Sequence, residues 1–259
     1  MLLRSVTEHV RTQNWFAVGV DLVIVVFGVY IGIQVSNWNE AFLENQRGEY
    51  FAERLREDLR KEFEIYENED SYYSSVHEYA LRAIDLVDND DPAFDNEFVV
   101  SAYNATQFYH GQSARSTFDE LVATGNLYLL KDDNLRNTAL FLYNTVVRER
   151  LSSYVFDSDY RERVRRIIPY DVQVAIREQC GDIIDGNTGF STGIHSDCKI
   201  DFAEDRIAAA AAVLRDDSAF RSDLAFLLSS FGYFISDTAA ARLQAEQRLN
   251  GTFTDSAPR

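Results

Sequence analysis

Proline is nearly missing from this chain. It occurs three times in 259 residues, and none comes before Pro92. Glycine numbers only 12. With so few breakers, forced interruptions of helix are excluded over most of the length. Positive charge is scarce as well: 25 Lys and Arg stand against 42 Asp and Glu, a net charge of -17. A surface of that sign repels nucleic-acid phosphates and anionic lipid headgroups, so no nucleic-acid partner is expected. The sequence has no G-x-S-x-G, P-loop, H-E-x-x-H or catalytic Cys–His pattern. We therefore expect no enzyme, no cofactor and no metal site. Disorder is excluded too, because 46% of the residues are hydrophobic.

What is present begins with residues 15 to 38, WFAVGVDLVIVVFGVYIGIQVSNW. As a helix this run reaches about 34 Å, enough to cross a hydrocarbon core of about 30 Å. Trp15 and Trp38 stand where interfacial aromatic anchors belong. The run is longer than a usual signal-peptide core, and no A-x-A site follows it, so the expectation is an uncleaved transmembrane helix. One residue is out of place in it, Asp21. At helical spacing Asn14, Ala17, Asp21, Val25, Gly28, Gly32, Val35 and Asn39 fall within roughly 40° of one line. That face joins the acid to a GxxxG step, Gly28 to Gly32, which lets two helix backbones approach closely. The functional expectation is a helix–helix contact, either self-association or docking on another membrane protein. The alternative is a lone helix with Asp21 near the interface.

Orientation rests on two signals. Arg4 and Arg11 precede the span against one acid, Glu8, which favours a cytoplasmic N-terminus. The two cysteines, Cys180 and Cys198, flank a glycine-rich loop. In an oxidising compartment they would close it as a disulfide. The expected division is a cytoplasmic tail at 1–14, the transmembrane helix at 15–38, a helical extracytoplasmic domain at 39–250 and a disordered tail at 251–259. In a bacterium this places the anchor in the inner membrane and the bulk in the periplasm.

Past Trp38 the helix is expected to continue to about Val87. Phe42, Phe51, Leu55, Leu59, Phe63, Tyr66, Tyr73, Val76, Ala80 and Ile84 recur at helical steps. The opposite face carries Glu53, Arg54, Glu57, Asp58, Arg60, Lys61, Glu62 and Glu64, read as a solvated face with i,i+4 pairs.

The run IGIQVSNWNE, Ile31 to Glu40, resembles a signature of a bacterial membrane-anchored family, domain of unknown function number 6090. The segment STFDELVATGNLYLLKDDNLRNTALFLYN, Ser116 to Asn144, is similar to a second conserved stretch of that family. Asp21 stands where Glu is usual, and Phe118 where Tyr is commoner. The resemblance covers about a seventh of the chain. It implies an acid-containing anchor followed by a helical domain, and no activity.

Further helices are expected at 97–109, from Ser116 as N-cap to Gly125, at 133–168, at 170–179, at 202–214 capped by Asp201, and at 218–249. Arginines 148, 150, 161, 163, 165 and 166 form the one basic cluster. They are expected to pair with acids of the first long helix, the alternative being an anion site. His195, Asp197 and Cys198 match no zinc spacing. The run Leu224 to Ile235 is too short for a second span and reads as a buried central helix.

The fold expectation is all-α: one transmembrane helix continuous with a long amphipathic helix, folded into an antiparallel bundle. Two functions compete. One is a non-enzymatic interaction protein or accessory subunit of a membrane complex, touching lipid and a partner helix. The other is a periplasmic ligand-sensing bundle with Tyr72, Tyr73, Tyr79, Tyr103, Phe108 and Tyr109 lining a pocket.

Overall fold

The computed structural model describes residues 15–144, 147–186, 189 and 191–254. The fold is all-α, with one two-stranded hairpin. Helix α1, Trp15–Leu86, runs for 72 residues without a break, about 108 Å at 1.5 Å per residue. Nothing in the sequence interrupts it, and two different environments follow one another along it. From Phe16 to Arg47 every side chain described is exposed; from Gly48 onward one face is buried.

The body folds back on that second part. A 3-10 turn at Pro92–Phe94 leads into α2, Asp95–Asn104. Helix α3, Ser116–Ala123, is followed by a 3-10 turn at Leu127–Leu129. Then come α4, Asp133–Asn144; α5, Val147–Phe156; α6, Asp159–Ile167; and α7, Tyr170–Cys180. Strands β1, Asp182–Ile184, and β2, Ser191–Ile194, pair antiparallel. Helices α8, Glu204–Asp216, and α9, Phe220–Thr254, complete the chain. Helix α9 packs along α1 and also meets α4, α5 and α6.

The core has two storeys along α1. Nearer the bare end, Leu55, Leu59 and Tyr66 pack with Phe118, Leu121, Leu130, Leu135 and Ala245. Farther out, Tyr72, Val76 and Ala80 pack with α2, α7, α8 and the first half of α9.

Several local expectations change. The stretch 133–168 is three helices, not one. Ser158 takes an extended conformation, and its side chain accepts from the Arg161 amide at 3.2 Å, which starts α6. The helix expected at 97–109 spans Asp95–Asn104; it ends in a turn in which the Thr106 amide donates to the Tyr103 carbonyl at 2.9 Å, and the Asn104 side-chain amide donates to the Cys180 carbonyl at 3.0 Å. Ser116 is not the N-cap of α3. Asp58 on α1 does that work, its carboxylate accepting from the Thr117 amide at 2.8 Å and the Ser116 hydroxyl at 3.2 Å. Asp201 does not cap α8, whose N-cap is Ala203 without a side-chain bond. Helix α9 continues to Thr254, so residues 251 to 254 are helical. Gly125 does close α3. Its φ of 69° and the bonds from the Gly125 amide to Val122 O and from the Asn126 amide to Leu121 O form a Schellman ending.

Candidate functional site

The first candidate is the bare part of α1. Asp21, Gly28 and Gly32 lie on it as the spacing requires, and a Cβ built on Gly28 or Gly32 meets nothing within 4 Å. Phe27 is 61% exposed and Trp38 78% exposed. The side chain of Trp15 and all of residues 1–14 lie outside the described residues. Six residues after Trp38 the body begins to touch α1: the Tyr128 hydroxyl donates to Glu44 at 3.3 Å, and Lys131 meets Asn45. At Gly48 the Leu129 carbonyl comes so close that an added Cβ would sit 2.5 Å from its oxygen.

The charged face of α1 is only partly solvated. Glu57 pairs locally with Arg60 and Lys61. Several other charges of this helix tie down the chain from 111 to 132. Glu62, 2% exposed, accepts from the Ala114 amide at 2.7 Å and the Ser113 hydroxyl at 2.9 Å. Glu69 accepts from the Gly111 amide at 2.7 Å, Arg54 meets Glu120 at 2.9 Å, and Arg56 meets Asp132 at 3.3 Å. Buried carboxylates of this kind are stable because backbone N–H groups replace lost water.

The cysteines form the expected disulfide, with Cα atoms 5.5 Å apart. The loop it closes holds the hairpin against α1. Tyr72 donates to Asp182 at 2.9 Å, Tyr79 donates to the His195 carbonyl, and Arg82 meets Asp197 at 2.6 Å. Asp182 sits on an exposed strand, but its carboxylate tucks against the Tyr72 phenol, and burial there pushes its pKa up. Among the described residues no three His, Cys, Asp or Glu side chains gather as a metal site.

The tyrosines set out as a pocket are core. Tyr72, Tyr73, Tyr79 and Tyr103 are each at most 3% exposed. The hydroxyls of Tyr72 and Tyr79 are taken as above, and that of Tyr73 donates to the Tyr109 carbonyl at 2.6 Å. A groove of ≈ 660 Å³ lies elsewhere, between α5, α6 and α9, lined by Tyr154, Asp157, Asp223, Phe226 and Phe234. No sequence signal marked it, because its walls come from helices about 70 residues apart that only the tertiary fold brings together.

Among the described residues, Arg161, Arg163, Arg165 and Arg166 bond elsewhere than to the acids of α1. Helix α6 packs on α2, α8 and α9 instead. Arg163 pairs with Asp217 at 3.1 Å and Asp223 at 2.7 Å, and Arg166 with Glu162. The side chain of Arg148 lies outside the described residues, and Arg150 lines the groove. Arg161 and Arg165 turn to the C-terminal end of α2. Arg161 donates to the Thr106 carbonyl, and Arg165 to the Thr106 hydroxyl at 2.9 Å, to Gln107 at 3.1 Å and to the Tyr103 hydroxyl. Arg177, from α7, donates to that same Tyr103 oxygen at 3.1 Å. Burial, with Arg161 and Arg177 adding repulsion, pushes the Arg165 pKa down to about 10. Arg177 was not singled out in the sequence, because it stands alone there and joins the cluster only through the packing of α7.

No family model, curated protein or solved structure matches this chain.

Proposed function

We propose that this chain is a single-pass membrane-anchored protein whose helical body stands outside the cytoplasm, and that it works as a non-enzymatic interaction protein, an accessory subunit of a membrane complex. One observation carries the reading. A single helix is apolar and wholly uncovered over its first part, then polar-faced and packed from Gly48 on. A bare apolar helix of this length is unstable in water and stable in lipid. Helix α9 is also long and apolar enough to cross a membrane. Its buried face, Phe220, Leu224, Leu227 and Phe231, belongs to the core of the body, so we assign it there.

The resemblance of residues 31–40 to the family of unknown function 6090 supports the anchor. Arg4, Arg11 and the disulfide support an inner-membrane location with the body in the periplasm. The partner surface is the face of Asp21, Gly28 and Gly32. An acid in hydrocarbon costs about 2.5 to 3.5 kcal/mol on insertion scales, and a polar partner on a facing helix relieves that cost. The partner is a second copy or another membrane protein; nucleic acid is not proposed. The groove between α5, α6 and α9 supports a second reading, a ligand-sensing bundle that signals through the partner helix.

Alkaline carbonate washing of vesicles tests the anchor: the chain stays in the pellet, and its release to the supernatant refutes the reading. Crosslinking in membranes tests the contact. Asp21→Leu and Gly28→Ile should each abolish the crosslinked species, while Leu22→Ile, on a different face, should not.

A further inference from the structure

Most described arginines of this acidic chain meet a carboxylate. Arg54, Arg56, Arg82, Arg163, Arg206 and Arg215 all do. Arg161, Arg165 and Arg177 do not: their described hydrogen bonds go to a carbonyl, an amide oxygen and hydroxyls. Two of the three donate to one phenol oxygen, that of Tyr103, so their charges lie within a few ångströms of each other. The Arg165 guanidinium also lies over the Tyr103 ring, its Cζ 3.8 Å from the centroid.

We infer that Arg161, Arg165 and Arg177, gathered at the Tyr103 hydroxyl, bind the phosphate or carboxylate group of a small soluble anion.

Capping alone does not account for the cluster. The C-terminus of α2 carries roughly half a negative charge, which justifies one nearby cation. Among the described residues Asp182 lies in electrostatic reach of Arg165, and its carboxylate is already engaged by Tyr72. The balance leaves a positive surplus in a chain of net charge -17. Like charges at such separation repel, and an oxyanion bridging them converts that repulsion into charge-assisted hydrogen bonds. Arg161 has a described bond only from Nη1, and Arg177 bonds the Tyr103 and Tyr170 hydroxyls; each guanidinium keeps further N–H groups to donate. Exposed Tyr170 stands beside Arg177, its ring centroid 5.6 Å from the guanidinium, and would border the bound group.

The ligand is soluble rather than a lipid headgroup. Tyr72, at the level of the cluster, lies 34 residues beyond Trp38, about 51 Å along α1. Only this distance argument rests on the membrane anchor; the cluster itself does not.

Isothermal titration of the full chain in detergent, with inorganic phosphate and with succinate against chloride at matched ionic strength, tests the site. Saturable binding of at least one oxyanion is expected. Exposed Arg177→Gln should weaken it about tenfold or more. Asp182→Asn, which removes the competing carboxylate, should tighten it. Opposite effects of these two variants would not arise from damage to the fold. Binding no stronger than chloride, or binding unchanged in Arg177→Gln, overturns the assignment. Carbonate extraction is read separately, so the anchor and the anion site stand or fall independently.

Discussion

At Gly48 the absence of one carbon lets the body meet its helix. The Leu129 carbonyl occupies the place where a side chain would begin, 2.5 Å from an added Cβ. Gly48→Ala must therefore push the 127–129 turn away. Thermal unfolding should show a loss of about 1 to 3 kcal/mol, the range for overpacking. Gly28→Ala, with nothing within 4 Å, should leave that transition unchanged. A second residue-scale effect concerns His77, packed beside Phe231 with ring centroids 6.0 Å apart. Burial lowers its pKa from 6.5. The unfolded chain therefore takes up the proton first, and stability falls as the pH drops through the unfolded and then the folded value. Melting temperatures compared between about pH 7 and pH 5 should fall less in His77→Gln than in the native chain.

Among the elements, the hairpin β1–β2 depends most on a covalent bond. It is only three and four residues long, too short to be stable alone. The Cys180–Cys198 bridge holds it where Tyr72, Tyr79 and Arg82 can reach it. Closing this loop is worth roughly 3 kcal/mol in the chain-entropy model. Thermal unfolding with and without reductant should differ by that order. Reduction should also raise hydrogen exchange at 182–194 before it affects α1. Helix α3 shows the same dependence on a distant partner. The Thr117 amide in its first turn is satisfied by Asp58, so Asp58→Ala should cost about 1 kcal/mol, although the two are far apart in sequence.

For the whole molecule, α1 is both mast and core. Roughly its last three-fifths carry the body, and the described residues before Glu44 carry none of it. Removing residues 1–43 takes away no contact of the body described here, since the first is at Glu44. The shortened chain should stay soluble without detergent and melt cooperatively within about 1 kcal/mol of the full one. A truncated chain that aggregates or melts without cooperativity would show that the bare helix belongs to the core.

Local periodicity and composition were enough for the all-α fold, the uninterrupted first helix and the pairing of the only two cysteines. Each depends on residues near in sequence or on elimination. The disulfide-held hairpin, the three-way division of 133–168 and the true cap of α3 depend on groups brought together by packing. The same holds for the charges. A run of alternating signs on α1 reads as a solvated face, because solvent and a backbone amide from a distant loop satisfy a carboxylate equally well on paper. Only the folded chain decides between them, since the loop's position is set by the burial of Leu55, Leu59 and Phe118 around it. Arg177 joins Arg161 and Arg165 for that reason too: the docking of α7 on α2, and not any spacing along the chain, brings its guanidinium to Tyr103.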